Sequence, residues 1–275
     1  MISVVVPAHN EGPVIDTLLD ALAPGIQAGR LDVVVVANGC SDDTAQRARN
    51  HEVRVIELER GHKPSALNAG DEALGTFPRF YVDADVTVTA EGIEELAGRL
   101  DVDGTLAVSP ALRMDTEGSS RLVRAYFRIW QQLPSIADSL ASRGCMGFSR
   151  SGRDRWNSWP DVTADDQWAN EQFAPGERAV WDGVESVVAA PADLHHLVER
   201  KRRSRRGGIE LEDEIQRDVT SNTAWLGVVR RQPRLLTSAP AYVLVTILVR
   251  LAAWRDRRAG RDDWGADRSS RDRSA

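Results

Sequence analysis

Four strand-like runs rich in apolar residues, each followed by a helix-like stretch, constrain the fold of this chain more than any other feature. The runs are Ile2–Val6, Leu31–Ala37, Val53–Leu58 and Arg79–Asp83. They do not alternate polar with apolar, which is the pattern of strands covered on both faces. Between the first two, Val14, Ile15, Leu18, Leu19 and Leu22 line one stripe of a helix. Ser41 is expected to N-cap a second helix reaching about Asn50. Pro64–Leu74 and Ala90–Leu100 read as the third and fourth helices. This order predicts an α/β class fold with a Rossmann-like, mostly parallel sheet and helices on both faces.

Beyond Leu106–Pro110 the pattern loosens. Met114–Ser120 reads as a loop and Leu122–Leu133 as a helix with aromatic content. Gly144–Ser149 is either a short strand or a loop, Val162–Phe173 carries acids at a helix start, and Val184–Ala190 reads as a strand. His195–Arg206 is a basic helix or loop, and the Arg/Asp/Ser-rich tail from Arg255 has the composition of a disordered segment. A formal net charge of −6 supplies no global basic field, so no nucleic-acid partner is expected. Cys40 and Cys145 lack a CxxC spacing, which argues against a zinc site or a redox pair. The N-terminus has no basic region or cleavage site, so no signal peptide is expected. The nearest approach to a spanning helix, Ala239–Trp254, falls short of the ~20 apolar residues required and is interrupted by Arg250.

In open α/β sheets ligands bind beyond the carboxyl ends of the strands. Polar clusters fall there after every early strand: Pro7-Ala8-His9-Asn10-Glu11, Asn38-Gly39-Cys40-Ser41-Asp42, Gly61-His62-Lys63, and Asp83-Ala84-Asp85. Strand-to-helix turns favour such residues anyway, but their convergence at all four ends points to a polar ligand. Two carboxylates spaced i, i+2 suit a hard cation such as Mn²⁺ or Mg²⁺ that leaves positions open for phosphate. The absence of G-x-G-x-x-G after the first strand excludes a dinucleotide oxidoreductase of the usual type.

Four segments carry a resemblance. Val4-Val-Val-Pro-Ala-His-Asn-Glu, Val36-Ala-Asn-Gly-Cys-Ser-Asp-Asp-Thr, Gly61-His-Lys-Pro-Ser-Ala-Leu-Asn-Ala-Gly and Tyr81-Val-Asp-Ala-Asp occur in this order at suitable spacings. Together the chain resembles the family 2 glycosyltransferases of the GT-A fold over roughly Ile2–Gly207. The resemblance implies a metal-dependent transfer of a sugar from a nucleotide-diphosphate sugar to an acceptor hydroxyl, inverting and non-processive. The acceptor could be a small molecule, a glycan or a lipid carrier. A UDP-sugar is expected ahead of a GDP-sugar. Ala37-Asn38-Gly39-Cys40 stands where many members carry Asp-Asp-Gly-Ser, which weakens the case for uracil.

The resemblance also implies roles. Pro7, His9 and Glu11 line the nucleoside pocket, Asn38 sits at the base, and Lys63 lies near the base or diphosphate. Asp83, within Asp83-Ala84-Asp85, approaches the ribose, and Asp85 holds the metal. Thr163-Ala-Asp-Asp-Gln-Trp resembles the acidic pair of inverting members, making Asp166 the catalytic base. The alternative is that Asp165 and Asp166 only cap a helix. Gly144 either lets backbone approach the donor closely or makes an ordinary turn. Glu199-Arg-Lys-Arg-Arg-Ser-Arg-Arg-Gly lies where processive members carry Gln-x-x-Arg-Trp, and Arg200 and Ser204 replace the Gln and Trp. Arg203 remains as a clamp for the diphosphate, against the reading of these arginines as a solvated face, a membrane contact or a nucleic-acid patch. His195, or His196 in its place, is a candidate third metal ligand or simply structural.

The implied organisation is a GT-A catalytic domain over 1–207, with a nucleotide-sugar half (about 1–110) and an acceptor half (about 111–207). A helical segment follows over 208–254, then a tail over 255–275. The segment 239–254 packs on the core, forms a homodimer, or meets the inner face of the membrane from the cytoplasm. A sugar nucleotidyltransferase and an inactive nucleotide-sugar-binding module stay as alternatives.

Overall fold

The computed structural model describes residues 1–202 and 223–259. In chain order the elements are β1 (Ile2–Ala8), α1 (Gly12–Gln27), β2 (Leu31–Asn38), α2 (Thr44–Arg49), β3 (Arg54–Leu58), α3 (Lys63–Ala73), β4 (Arg79–Val82), β5 (Val86–Thr87) and α4 (Ala90–Ala97). There follow β6 (Ala107–Asp115), α5 (Arg121–Trp130), α6 (Pro134–Ala137), β7 (Cys145–Phe148), α7 (Arg150–Arg153), α8 (Asp165–Glu171) and β8 (Arg178–Ala189). A helix α9 covers 194–202. Then come α10 (Ala224–Arg231), a 3-10 turn over Pro233–Ser238, and α11 (Ala239–Ala259).

The chain divides into two compact units. The first comprises Met1–Arg113, Ser139–Asp161 and Asp165–Val188. It holds nearly all of an eight-stranded sheet of order β3-β2-β1-β4-β7-β6-β8-β5. β3, β2, β1 and β4 are parallel, with Val5 in register between Val34 and Tyr81. The direction then reverses: β7 is antiparallel to both β4 and β6, and β8 is antiparallel to β5. The expected parallel sheet is therefore its N-terminal half, and the other half is mixed.

The continuous apolar runs follow from two-sided coverage. Val4, Val6, Val33 and Val35 face α1 and α4, packing with Ile15, Leu18, Leu19, Leu22, Ile93 and Leu96. Val5, Val34 and Val36 face the other way, against Ala66 and Leu67 of α3 and the aromatic group Phe148, Trp156 and Trp159. Each large aliphatic or aromatic side chain so buried contributes roughly 1.5–3 kcal/mol. Ser41 does not cap the second helix. Asp43 is its N-cap residue, and the side chain of neighbouring Asp42 accepts from the backbone and hydroxyl of Thr44.

The second unit comprises Met114–Asp138, Val162–Ala164 and the described residues from Ala189 onward. Its α5 is capped by Ser120, whose hydroxyl accepts from the Val123 amide. Ile129 and Leu133 pack with Val228, Val229, Leu235 and Ala239 to form a small core of their own. α11 runs on to Ala259, past Arg255 where the sequence suggested a tail. The stretch Pro233–Arg255 is, by length and composition, long and apolar enough to cross a membrane, contrary to the shorter estimate from 239–254. The boundary at 207/208 and the tail over 260–275 lie outside the described residues.

Candidate active site

The ends of β1 and β2 are knotted together by polar contacts before any ligand is considered. Asn10 adopts a left-handed backbone (φ 55°), and its side-chain oxygen accepts the Ser41 amide at 2.7 Å. The Glu11 amide donates to Thr44 Oγ1 at 2.8 Å and the Gly12 amide to Asp42 at 3.1 Å. His9 Nδ1 donates to the Asn38 carbonyl at 2.6 Å. Asn38 is itself buried, and its side-chain oxygen accepts the His62 amide at 2.8 Å. Gly39 makes this approach possible. It sits at φ +64°, and a Cβ there would fall 2.3 Å from the Gly61 amide nitrogen.

At the other side of β1, Lys63 opens α3 and reaches across the strand ends. Its Nζ lies 2.9 Å from Asp83 Oδ1 and 3.2 Å from Asp165 Oδ2. Burial alone would pull this ammonium down. The charges of Asp165, Asp83 and Asp166 outweigh it and hold Lys63 well above the ordinary lysine range. Asp165 is buried and its carboxyl is pushed up to about 6, by burial first and then by Asp166 and Asp83, against the pull of Lys63. Asp166, one residue on, is only half-buried; its two oxygens accept the amides of Ser142 (2.7 Å) and Gln167 (2.8 Å). Gly144 closes the floor of the group. Its carbonyl accepts the Asp83 amide at 2.8 Å, and at φ +61° a Cβ would meet Val86 at 2.3 Å and Asp83 Oδ2 at 3.4 Å.

The structure thus brings Lys63, Asp83, Gly144, Asp165 and Asp166 into one cluster, with Pro7, His9, Glu11 and Asn38 at the neighbouring strand ends. Ala84 is buried in the core, so its methyl does not face a ligand, and only its backbone and the flanking carboxylates remain available. The histidine considered as a third metal ligand, His195 or in its place His196, lies at the start of α9. His196 Nδ1 is engaged by Asp193 at 2.9 Å, His195 is exposed beside Glu199, and among the described residues no three His, Cys, Asp or Glu groups are arranged to hold a metal ion. Arg203 lies outside the described residues. Within the second unit Arg200 donates to the Ala189 carbonyl and Lys201 lies 3.3 Å from the centre of the Trp130 ring, both structural uses. Sequence reasoning passed over Ser142, which steadies Asp166, and the pairing of His62 with Asp161 at 2.8 Å. Neither carries a motif.

An eight-stranded mixed sheet with helices packed on it and a polar cluster at the carboxyl ends of its parallel strands is an α/β fold of the GT-A type. The family model described as glycosyl transferase family 2 matches residues 3–158, and the chain belongs to that family. Uncharacterized glycosyltransferases of Mycobacterium tuberculosis and Mycobacterium bovis are 33% identical to it over 100 residues. That match spans 36% of this chain and 44% of theirs. Among solved structures, a mannosyltransferase from Pyrobaculum calidifontis in complex with GDP-Man and Mn²⁺ superposes with a TM-score of 0.62 at 20% identity, covering 92% of this chain and 74% of that one. Glucosyl-3-phosphoglycerate synthase from Mycobacterium tuberculosis, in complex with Mn²⁺, UDP and glucosyl-3-phosphoglycerate, gives 0.56 at 20% identity, covering 80% and 81%. S. aureus TarS in complex with UDP-GlcNAc gives 0.54 at 16%, covering 73% and 64%. At these identities the likeness is one of fold.

Proposed function

We propose that the protein transfers a sugar from a nucleotide-diphosphate sugar to an acceptor hydroxyl with inversion, in a single step. The observation that carries this reading is the convergence of Lys63, Asp83 and Asp165 beside Asp166 at the strand ends. In this reading Asp166 takes the proton from the acceptor hydroxyl. The acceptor oxygen then attacks the anomeric carbon from the face opposite the diphosphate. The bond from that carbon to the diphosphate oxygen breaks, and its electron pair leaves with the diphosphate. Asp166 is suited to the proton by its partial exposure and by two backbone amides that fix its orientation. Asp165 serves instead as a buried partner of Lys63.

The donor set at the end of β4 fits a hard divalent cation in its chemistry: Asp85, with Asp83 beside it, offers carboxylate oxygens only. When bound, Mn²⁺ or Mg²⁺ neutralises charge on the departing diphosphate. Lys63 adds a fixed positive charge beside Asp83. Because the side-chain oxygen of Asn38 is engaged by His62, the residue offers a base edge its Nδ2–H donors, which suit a carbonyl on uracil or guanine alike. UDP-sugars keep first place on the resemblance alone. The mannosyltransferase neighbour's GDP-Man makes GDP-sugars the second set to test. In the same reading Arg203 assists the diphosphate, 1–207 is the catalytic domain, and transfer takes place on the cytoplasmic side of the membrane.

The test is a product-mass screen of the purified protein with several UDP- and GDP-sugars and Mn²⁺, scored for nucleoside diphosphate release and a mass-shifted acceptor. Asp85→Ala should abolish turnover with the fold intact, as read by circular dichroism. Full activity in excess chelator would remove the cation from the mechanism.

A further inference from the structure

The outward face of α11 is apolar, and so is its inward face. Val245, Val249 and Ala253 are buried, and Tyr242 stacks on Tyr126 of α5 with ring centroids 5.5 Å apart. Leu244, Ile247, Leu251 and Trp254 follow one another at spacings of three, four and three residues and are 42–49% exposed. At 100° per residue these two sets lie on opposite sides of the helix. Just before α11, Leu236 is 64% exposed. A soluble surface helix would place polar side chains along this second stripe. Here the polar residues flanking it are Arg250 and Arg255, both exposed.

Charge identifies what such a face meets. Between Ala224 and Arg255 there are five arginines (Arg230, Arg231, Arg234, Arg250 and Arg255) and no carboxylate, in a chain whose formal net charge is −6. A second copy of this chain would bring the same five positive charges against them. A bilayer rich in anionic lipid offers the opposite sign and an apolar interior within one side chain's reach. The helix has the length to span, but spanning would place Arg250 in hydrocarbon and strip α11 from α5, whose outward positions Arg121, Arg124 and Arg128 are themselves exposed. A helix lying in the interface keeps both the inner packing and the arginines' hydration.

We infer that α11 docks the protein on an anionic lipid surface, lying in the plane of the interface with Leu244, Ile247, Leu251 and Trp254 inserted and the flanking arginines at the headgroups. This inference is independent of the transfer reaction, and its test uses no donor.

The test is co-sedimentation of the full chain with vesicles of phosphatidylcholine alone and of phosphatidylcholine mixed with phosphatidylglycerol. The wild type is expected on the mixed vesicles, to be released as salt rises, and to leave the neutral vesicles largely unbound. L244N/I247N/L251N, at exposed positions, should lower the affinity for mixed vesicles at least about tenfold. R230A/R231A/R234A, tested separately, should also weaken it about tenfold or more and flatten the salt dependence. Unchanged binding in both variants, equal binding to neutral and mixed vesicles, or no binding by the wild type would each overturn the inference. So would light scattering that shows a dimer broken by the leucine–isoleucine variant while vesicle binding persists, since the face would then belong to a second copy.

Discussion

Asp165 and Asp166 are neighbours in sequence and differ in most of what decides the use of a carboxylate. Asp165 is buried against Lys63; Asp166 is half-buried and held by two amides. Asp166→Asn should therefore lower kcat by roughly 10²–10⁴-fold while donor affinity changes little, because a base acts in the transition state. Titration calorimetry with donor, beside steady-state kinetics, separates the two. If Asp165→Asn is the variant that loses only turnover, the base is Asp165. The buried member makes a second prediction. Its carboxyl sits at about 6 in the folded protein against an ordinary 3.8, so between these values the folded state holds a proton that the unfolded chain has released. Stability from this group is then lost as pH rises from about 4 to about 6. Asp165→Asn lacks that slope. Urea unfolding across this window should show the wild type losing on the order of 3 kcal/mol relative to the variant. Parallel curves would mean that Asp165 ionises as it does in water.

At the scale of elements, what could be read from the sequence and what could not divide along one physical line. β1, β2 and β4 announce themselves because each is covered on both faces, so local composition records their burial, whereas β3 at the sheet edge is only partly buried. The strand-end clusters were legible for the same reason: polar residues directly after a buried strand have nowhere to be but at its mouth. The reversal of the sheet at β7 left no local mark, since strand direction is set by pairing between β4 and a segment more than sixty residues away. β5 is two residues long, β6 is continuously buried only over Ala107–Pro110 and partly exposed beyond, and β8 is legible only over Val184–Ala190 because its first half carries charged, partly exposed residues. The pairing of Lys63 with Asp165 joins residues 102 positions apart and was invisible for that reason. Loop approach is the element-scale property most open to test. Gly39→Ala forces a side chain onto a left-handed backbone and against the Gly61 amide, which is backbone and cannot rotate aside. The loops ending β2 and opening α3 must part, carrying His62 from Asn38. A loss of about 1–3 kcal/mol in stability and about tenfold or more in donor affinity is expected. Gly75→Ala, with open space around its Cβ and no positive φ, is the control and should change neither appreciably. Wild-type donor affinity in Gly39→Ala would show that the two loops act independently.

At the scale of the whole molecule, the candidate donor residues from Pro7 to Asp166 that the structure describes all fall in the first compact unit, whereas α11 belongs to the second. A ligand that binds only the folded protein raises stability by RT ln(1 + [L]/Kd), about 2.7 kcal/mol at a hundredfold excess over Kd. If donor and cation share the site at Lys63, Asp83 and Asp85, either alone should stabilise little and both together fully. For a chain of this size melting in one step, the pair should raise Tm by several degrees, roughly 2–4 °C per kcal/mol. Should the two units melt separately, the shift belongs to one transition only, which reports which unit holds the donor. Differential scanning calorimetry with UDP or GDP, Mn²⁺, both, and both with excess chelator gives the four curves needed. Chelator should return the melt to that of nucleotide alone, and Asp85→Ala should show no cation-dependent part at all. An equal shift with and without Mn²⁺ would place the nucleotide on protein groups only, and Lys63→Ala would then be the substitution that removes it.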